Sequence, residues 1–394
     1  MNYQFPVIRN ISDVLPAIEG RSEFVVAVKD GYTVINYNVM FDDTFPSIDY
    51  AAGNPCDWHF AVMRRECRGI IFDTATGDII RRPFHKFFNV NERPETQDVP
   101  LYEDHSILEK LDGSMIAPFI VNGQMIWGTK MGATDVAKPV EEFVNSKPRY
   151  TVLAAYLISQ GYSPIFEWCS RKQRIVLDYK KDQLILTAVR HMQTGEYFVH
   201  ESLVHLGELY TIPVVRAFDP QTDMKAFIEY TRDLKDLEGF VVRFDNGHMV
   251  KLKCDWYVQI HKAKERILQD RHIVELILDQ KLDDVKPHLP IEDRDRLTRF
   301  ESNFWTAVAR RVLMVAKKLQ YLNSNGVDRK AFALYEKHSV DGYMRPIIFK
   351  NFDSDIDCQK LDADVINTIR KNLTRTSKYE EIRAAWFPGV IYNA

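Results

Sequence analysis

Residues 115–130 read MIAPFIVNGQMIWGTK. Two apolar runs flank Asn122-Gly123, a dipeptide that readily takes the positive φ angles of a tight two-residue turn. The stretch therefore predicts a β-hairpin. It also contains a decoy. Gly123 to Lys130, GQMIWGTK, looks like a phosphate-binding P-loop with its last two residues exchanged. A P-loop needs the order Lys-Thr and a place between a strand and a helix, so a hairpin rules it out.

The same pattern recurs outward. EFVVAVKDGYTVINYNV (23–39) predicts two strands around Asp30-Gly31, and CRGIIFDTATGDIIRRPF (67–84) two more around Thr76-Gly77. LILTAVRHMQTGEYF (184–198) and FVVRFDNGHMVKLK (240–253) turn at Thr-Gly and Asn-Gly. Amphipathic stretches at 136–146 and 149–160 predict helices between them. Antiparallel hairpins interrupted by helices describe an α+β domain. After about residue 258 the texture becomes helical. In 304–322 the apolar residues Phe304, Val308, Val312, Val315, Leu319 and Leu322 recur at steps of three and four. We therefore expect an antiparallel-sheet domain over 1–270 and an all-helical domain over 271–394.

Composition places the chain among ordinary globular proteins, 45% hydrophobic and 27% charged. No apolar run approaches the roughly 18 residues of a membrane span, and the N-terminal residues lack a secretory pattern. The five cysteines, at 56, 67, 169, 254 and 358, form no CxxC pair, as expected for reduced thiols in a cytoplasm. Residues 291–394 hold 18 Lys and Arg against 14 Asp and Glu; residues 1–290 hold 34 against 41. A mildly basic helical module on an acidic body is compatible with a nucleic-acid partner.

Immediately before the opening hairpin stands ILEKLDGSM, 107–115. Asp-Gly alone makes turns, and Lys110 could merely solvate one. Its company points to chemistry. Glu167 lies in IFEWC, Glu238 in LEGFVVRF, and Lys251 and Lys253 in MVKLKCDWY; Arg68 and Lys86 lie upstream in RRECRGIIFD and RPFHKFF. Residues two apart on a strand share a face, so Lys251 and Lys253 point together and repel unless an anion neutralises them. An exposed edge strand would carry the same pair. A lysine nucleophile must shed its proton, which neighbouring cations favour. Arg68, Lys86, Lys130, Lys251 and Lys253 could hold phosphate oxygens, and Glu167 and Glu238 a hydrated magnesium ion or a ribose hydroxyl. The reaction this suggests is attack of Lys110 on a nucleotide α-phosphate.

The ordered set KLDGS, FEW, EGFVV and KLK resembles the covalent nucleotidyltransferase superfamily of polynucleotide ligases and mRNA capping enzymes. ECRGIIFD, RPFHKFFN, RIVLDY, TGEYF and KLKCDWYVQIH look more specifically like the T-even bacteriophage RNA ligase and its tRNA-repair relatives. The likeness covers most of residues 30–290 and continues faintly at DRKAFALYE. It implies an ATP-dependent RNA ligase that joins 5′-phosphate and 3′-hydroxyl ends through a lysine–AMP and an RNA-adenylate. By matching motif, Lys110 is the nucleophile, Tyr37, Arg68, Lys86 and Lys130 contact ATP, and Lys251 and Lys253 its phosphates. Glu167 binds ribose or acts in adenylylation. Glu238, with the pair Asp283-Asp284 in KLDDVK, serves magnesium, manganese being a substitute, and Tyr257 takes an essential position. Phe88 orders the lysine loop. The resemblance further implies cleaved tRNA as substrate, gripped by the helical tail, and a functional link to an end-healing polynucleotide kinase-phosphatase. It also implies a monomer in the host cytoplasm of a phage. DNA ligases and capping enzymes continue after the paired lysines into a β-barrel, whereas this chain continues into helices. A catalytically silent RNA-binding protein on the same fold is the alternative from another class.

Overall fold

The computed structural model describes residues 4–48 and 55–392, with the side chains of 55, 56, 336 and 337 left out. Cys56 thus lies outside the described side chains; Cys67, Cys169 and Cys254 are buried thiols and Cys358 an exposed one. The chain divides into two compact units, Met1–Val258 and Gln259–Ala394. This division falls ahead of residue 270, inside a helix that runs through the expected change of texture.

The first unit is α+β and holds three sheets. β1 (Phe24–Lys29), β2 (Tyr32–Tyr37), β3 (Ile70–Asp73) and β4 (Ile79–Arg81) form an antiparallel meander. A second sheet has the order β10 (Gln183–His191), β9 (Tyr162–Cys169), β7 (Ser114–Val121), β8 (Gln124–Gly128). The third runs β11 (Ala217–Phe218), β6 (His105–Lys110), β12 (Gly239–Phe244), β13 (Met249–Lys253), β5 (Phe88–Asn89). The opening hairpin is β7–β8, closed by Asn122 and Gly123 at φ 51° and 72°, so the P-loop decoy is indeed a strand and its turn. The Thr194-Gly195 turn forms as expected, but its return limb is a single bridge, Arg190 to Tyr197. One pairing departs from the antiparallel expectation. β5 runs parallel to β13, setting Phe88 beside Val250 and Asn89 beside Lys251. That brings the RPFHKFF segment against the strand of paired lysines.

Each sheet is backed by apolar packing. α1 (Leu15–Ile18) and α2 (Pro55–Glu66) cover the first sheet through Ala17, Ile18 and Met63. α3 (Lys138–Asn145), α4 (Arg149–Ser159) and α5 (His200–Tyr210) cover the second, against Phe166, Trp168, Leu184 and Leu186. α6 (Met224–Arg232), capped by Asp223, covers the third against Phe240, Val242 and Val250. Two smaller clusters join the sheets: Tyr32, Val34, Ile71, Phe119 and Val121 weld the first to β7, and Leu108, Leu111, Cys169, Ile185 and Val215 weld the second to the third.

α7 (Asp255–Arg266) leads into the second unit, which is helical among its described residues: α8 (Asp270–Leu278), α9 (Leu282–Val285), α10 (Ile291–Ser324), α11 (Arg329–Ala331), α12 (Met344–Asn351), α13 (Cys358–Asn372) and α14 (Thr376–Trp386). α10 is its axle. Its buried residues, from Leu297 through Phe304, Val308 and Val315 to Leu322, make the stripe expected from their spacing. They pack against Ile347, Val365, Ile369 and Ile382 of the helices around it. Leu319 is 1% exposed in that stripe. Leu319→Ala should cost about 2–5 kcal/mol, the usual loss for a buried leucine, measured as a lowered denaturant midpoint for unfolding of the helical unit.

Candidate active site

The β-register of the third sheet builds the floor of a pocket of about 590 Å³. Lys110 of β6 stands opposite Gly239 of β12, and Gly239 opposite Lys253 of β13; two residues on, Leu108, Val241 and Lys251 make the next row, and Ser106, Arg243 and Met249 the third. Directly opposed strand residues share a face. The other face, with Ile107, Phe240, Val242, Val250 and Leu252, is core. Seven of the nine residues in these three rows, Leu108, Lys110, Val241, Arg243, Met249, Lys251 and Lys253, line the pocket. The second sheet supplies the facing wall. Phe166 and Trp168 point into its core, so Glu167 between them points to the pocket, beside Met115 on β7. Tyr37 at the end of β2, Arg68 before β3, Lys86 and Lys130 complete the wall.

Two glycines permit this close approach. A Cβ on Gly113 would sit 2.4 Å from the Trp168 carbonyl oxygen, and Gly239, at φ +145°, would bring one within 2.0 Å of the Leu252 oxygen. The lysine turn is also tethered. Asp112 is buried, and its Oδ2 accepts hydrogen bonds from the Val176 and Leu177 amides, each at 2.7 Å. Its Oδ1 accepts from the Tyr257 hydroxyl at 2.7 Å, and its own amide donates to the Tyr179 hydroxyl at 3.0 Å. Tyr257, 3% exposed on α7, is therefore a support behind the site and is not on the pocket wall.

Charge dominates the pocket. Seven lysines and arginines line it against two glutamates. Lys110 Nζ lies 2.7 Å from Glu238 Oε1, and Lys253 Nζ 3.0 Å from the same oxygen. Glu238 is thus engaged with two lysines, where a metal-holding role was expected for it. Lys86 Nζ reaches within 3.5 Å of the Tyr37 hydroxyl and stands over the rings of Tyr37 and Phe88. Phe88 itself is buried beneath Lys86; Phe84 and Phe87 line the pocket with Tyr37. Burial would raise the Tyr37 phenol, but Lys86, Arg68 and Lys130 outweigh it and hold it below its usual range. Burial lowers Lys251 to about 7, helped by Lys86, Lys110 and Arg68. Burial also pushes Glu167 up to about 7, with Lys110 opposing and Glu238 reinforcing. Such a crowd of desolvated cations is a receptor for a polyanion.

A second set of buried ions holds the wall in place. Glu66 accepts from Arg82 Nε at 3.0 Å and from Arg190 Nη1 at 2.7 Å, all three side chains fully buried. Burial opposes ionisation of Glu66, yet Arg190 and Arg82 keep it at about 2. The residues so anchored flank Arg68 on one side and Lys86 on the other.

Asp283 and Asp284 belong to the helical unit. They are exposed on α9 of the helical unit, where Asp283 pairs with Lys286 at 3.3 Å. Among the described residues no group of three or more His, Cys, Asp or Glu is placed to hold a metal. Asp112, Glu66 and Arg243 escaped the motif reading. Asp112 sat in plain view inside KLDG, but its partners at 176, 177 and 257 are joined to it only by the fold.

A family model described as RNA ligase matches residues 66–257. A protein of Thermovibrio ammonificans named as a candidate RNA ligase is 31% identical over 287 residues, covering 70% of each chain. The chain belongs to the RNA ligase family. Two further relatives are less similar. RNA ligase 1 of bacteriophage TS2126 is 26% identical, over 56% of this chain and 57% of that one. A candidate bifunctional polynucleotide kinase/RNA ligase of Autographa californica nuclear polyhedrosis virus is 29% identical, over 57% of this chain and 35% of that one. The match thus spans less than two thirds of these two relatives. Among solved structures, an archaeal ATP-dependent RNA ligase is 15% identical over 67% of this chain and 64% of that one, with a TM-score of 0.41. A Naegleria gruberi RNA ligase mutant solved with ATP and Mn is 13% identical over 45% and 57%, with a TM-score of 0.38. No helix among the described residues is long and apolar enough to cross a membrane.

An anion entering the pocket favours the charged form of Lys251 and the neutral form of Glu167, and both changes take up protons near pH 8. Inorganic tripolyphosphate should therefore bind with net proton uptake at pH 8, read by calorimetry in buffers of different ionisation enthalpy. Lys251→Met should reduce that uptake; proton release by the wild type would contradict the electrostatic description.

Proposed function

We propose that this RNA ligase is ATP-dependent and joins RNA 5′-phosphate and 3′-hydroxyl ends in three steps. Lys110 Nζ attacks the ATP α-phosphorus; the N–P bond forms, the α–β phosphoanhydride breaks, and pyrophosphate leaves. AMP then passes to the RNA 5′-phosphate, and a 3′-hydroxyl displaces it. The observation that carries this reading is the position of Lys110 on the floor of a cationic pocket, held by a carboxylate that also holds Lys253.

Each residue's part follows from its surroundings. Glu238 holds the Lys110 amine at the pocket floor, where the ATP α-phosphorus must reach it. Lys251, Lys253, Arg68, Lys86 and Lys130 neutralise the charge that builds on the phosphorane and on pyrophosphate. Glu167, poised to be neutral or charged around pH 7, hydrogen-bonds a ribose hydroxyl in either state. Tyr37 orients beneath Lys86 and Lys130, and Tyr257 fixes the lysine turn through Asp112. Magnesium, with manganese able to replace it, travels with the ATP phosphates and its own waters; Glu238, Asp283 and Asp284 are proposed only as outer carboxylates for it.

The substrate we propose is a cleaved tRNA, gripped by the helical unit over about 271–394 whose exposed Arg310 and Lys317 can meet phosphates. The whole is a T-even-type tRNA-repair ligase, acting as a monomer in the cytoplasm of a phage-infected cell after a kinase-phosphatase has prepared the ends.

The test is direct. Incubated with α-labelled ATP and magnesium and then denatured, the wild type should retain label and Lys110→Ala should retain none. Labelling by GTP in place of ATP would instead indicate a capping-type enzyme, and failure of the labelled protein to seal a nicked anticodon stem-loop would remove the tRNA assignment.

A further inference from the structure

Arg243 is the one arginine among the described residues whose two terminal nitrogens are both buried without a hydrogen-bond partner. It is 5% exposed and forms part of the pocket wall. A buried guanidinium presents a planar fork of donors, and leaving them unmade is costly. The other buried arginines of this unit have acceptors: Arg81 bonds the Gly69, Ala117 and Gly128 carbonyls, and Arg82 and Arg190 bond Glu66. The two terminal nitrogens of Arg243 have none, and they belong to a residue of the pocket wall.

Its place on the strand says which acceptor would suit it. Arg243 lies on the same face of β12 as Gly239, the residue opposite Lys110, and four residues further along. At about 3.3 Å per residue that is roughly 13 Å from the nucleophile's row. The row between carries Leu108, Val241 and Lys251, Met249 stands beside Arg243 in its own row, and Phe84 and Phe87 also line the pocket. Beyond Lys251, a phosphate chain laid over Leu108, Val241 and Met249 would lose its hydration without compensation. A flat heterocycle would not, and it would bring its acceptor edge to the guanidinium. The cations that act on one another, Arg68, Lys86, Lys110 and Lys251, form a separate group. The carboxylate that acts on Arg243 is Asp245, outside that group.

Building on the ATP reading above, we propose that Arg243 is a specificity-determining residue that donates a hydrogen bond to a ring nitrogen of the nucleotide's purine, fixing the base at the far end of the pocket while its α-phosphorus meets Lys110. A pyrimidine, lacking the second ring, falls short of it.

The test compares lysine adenylylation at limiting nucleotide for ATP and for 1-deaza-, 3-deaza- and 7-deaza-ATP, in wild type and in Arg243→Met. In the wild type one deaza analogue should react about tenfold or more slowly than ATP, the loss expected for one charged hydrogen bond. In the variant, ATP should fall to that level and the same analogue should fall no further. Tripolyphosphate affinity should be unchanged, and the melting temperature equal or higher, since Met removes an unpaired buried charge without opening a cavity. The proposal is overturned if the variant slows ATP and all three analogues by one common factor, if it slows none, or if tripolyphosphate affinity drops, which would place Arg243 on the phosphates. Absence of any label on the wild-type chain would instead remove the ATP reading on which this one rests.

Discussion

Packing many positive charges into one pocket is unfavourable, and the structure survives it by holding Glu238 between Lys110 and Lys253. Everything around the site serves that arrangement. β12 carries Glu238 to the edge of the floor, β6 and β13 bring the two lysines to either side of Gly239, and only a residue without a side chain lets the three strands close there. Glu238, Glu109 and Glu167 cannot neutralise seven lysines and arginines, so the pocket carries a net positive charge. Burial, the largest cause for both, brings Lys251 down and Glu167 up to about 7; the surrounding cations add to the first shift and oppose the second. A polyanion neutralises the net charge, which is how a pocket selects a nucleotide before any base is read.

Holding such a pocket open requires stiffness outside it. Two buried devices supply it. Glu66, locked by Arg82 and Arg190, ties α2 to the strands that lead to Lys86. Such a buried triad adds little net stability, but breaking it leaves uncompensated charge, so it enforces one geometry. Asp112 does the same for the lysine turn with three donors from two distant segments. The residue that motif matching ranks as catalytic, Tyr257, turns out to be one of those donors. Its ring also lies under Lys253, so it braces both lysines that share Glu238.

The helical unit follows different physics. It has one long amphipathic helix and a continuous apolar core, with no comparable concentration of buried charge among its described residues. Asp283 and Asp284 sit on its surface as ordinary solvated carboxylates, one of them satisfied by Lys286.

Periodicity alone was enough to find most of this architecture. Asn122-Gly123 demands its turn because few other residue pairs accept positive φ twice, and the α10 stripe demands a helix because its apolar residues share a face only at 3.6 per turn. Lys110, Lys251, Lys253 and Glu167 were legible for the same local reason, since alternation along a strand decides which way each points. The parallel pairing of β5 with β13, the capture of Glu238 by two lysines, the burial of Tyr257 and the unpartnered fork of Arg243 were not legible. Each depends on which strands become neighbours. That choice is made by the joint burial of Leu108, Leu111, Cys169, Ile185 and Val215, and of Tyr32, Ile71 and Phe119, residues far apart in the chain whose contacts no local pattern encodes.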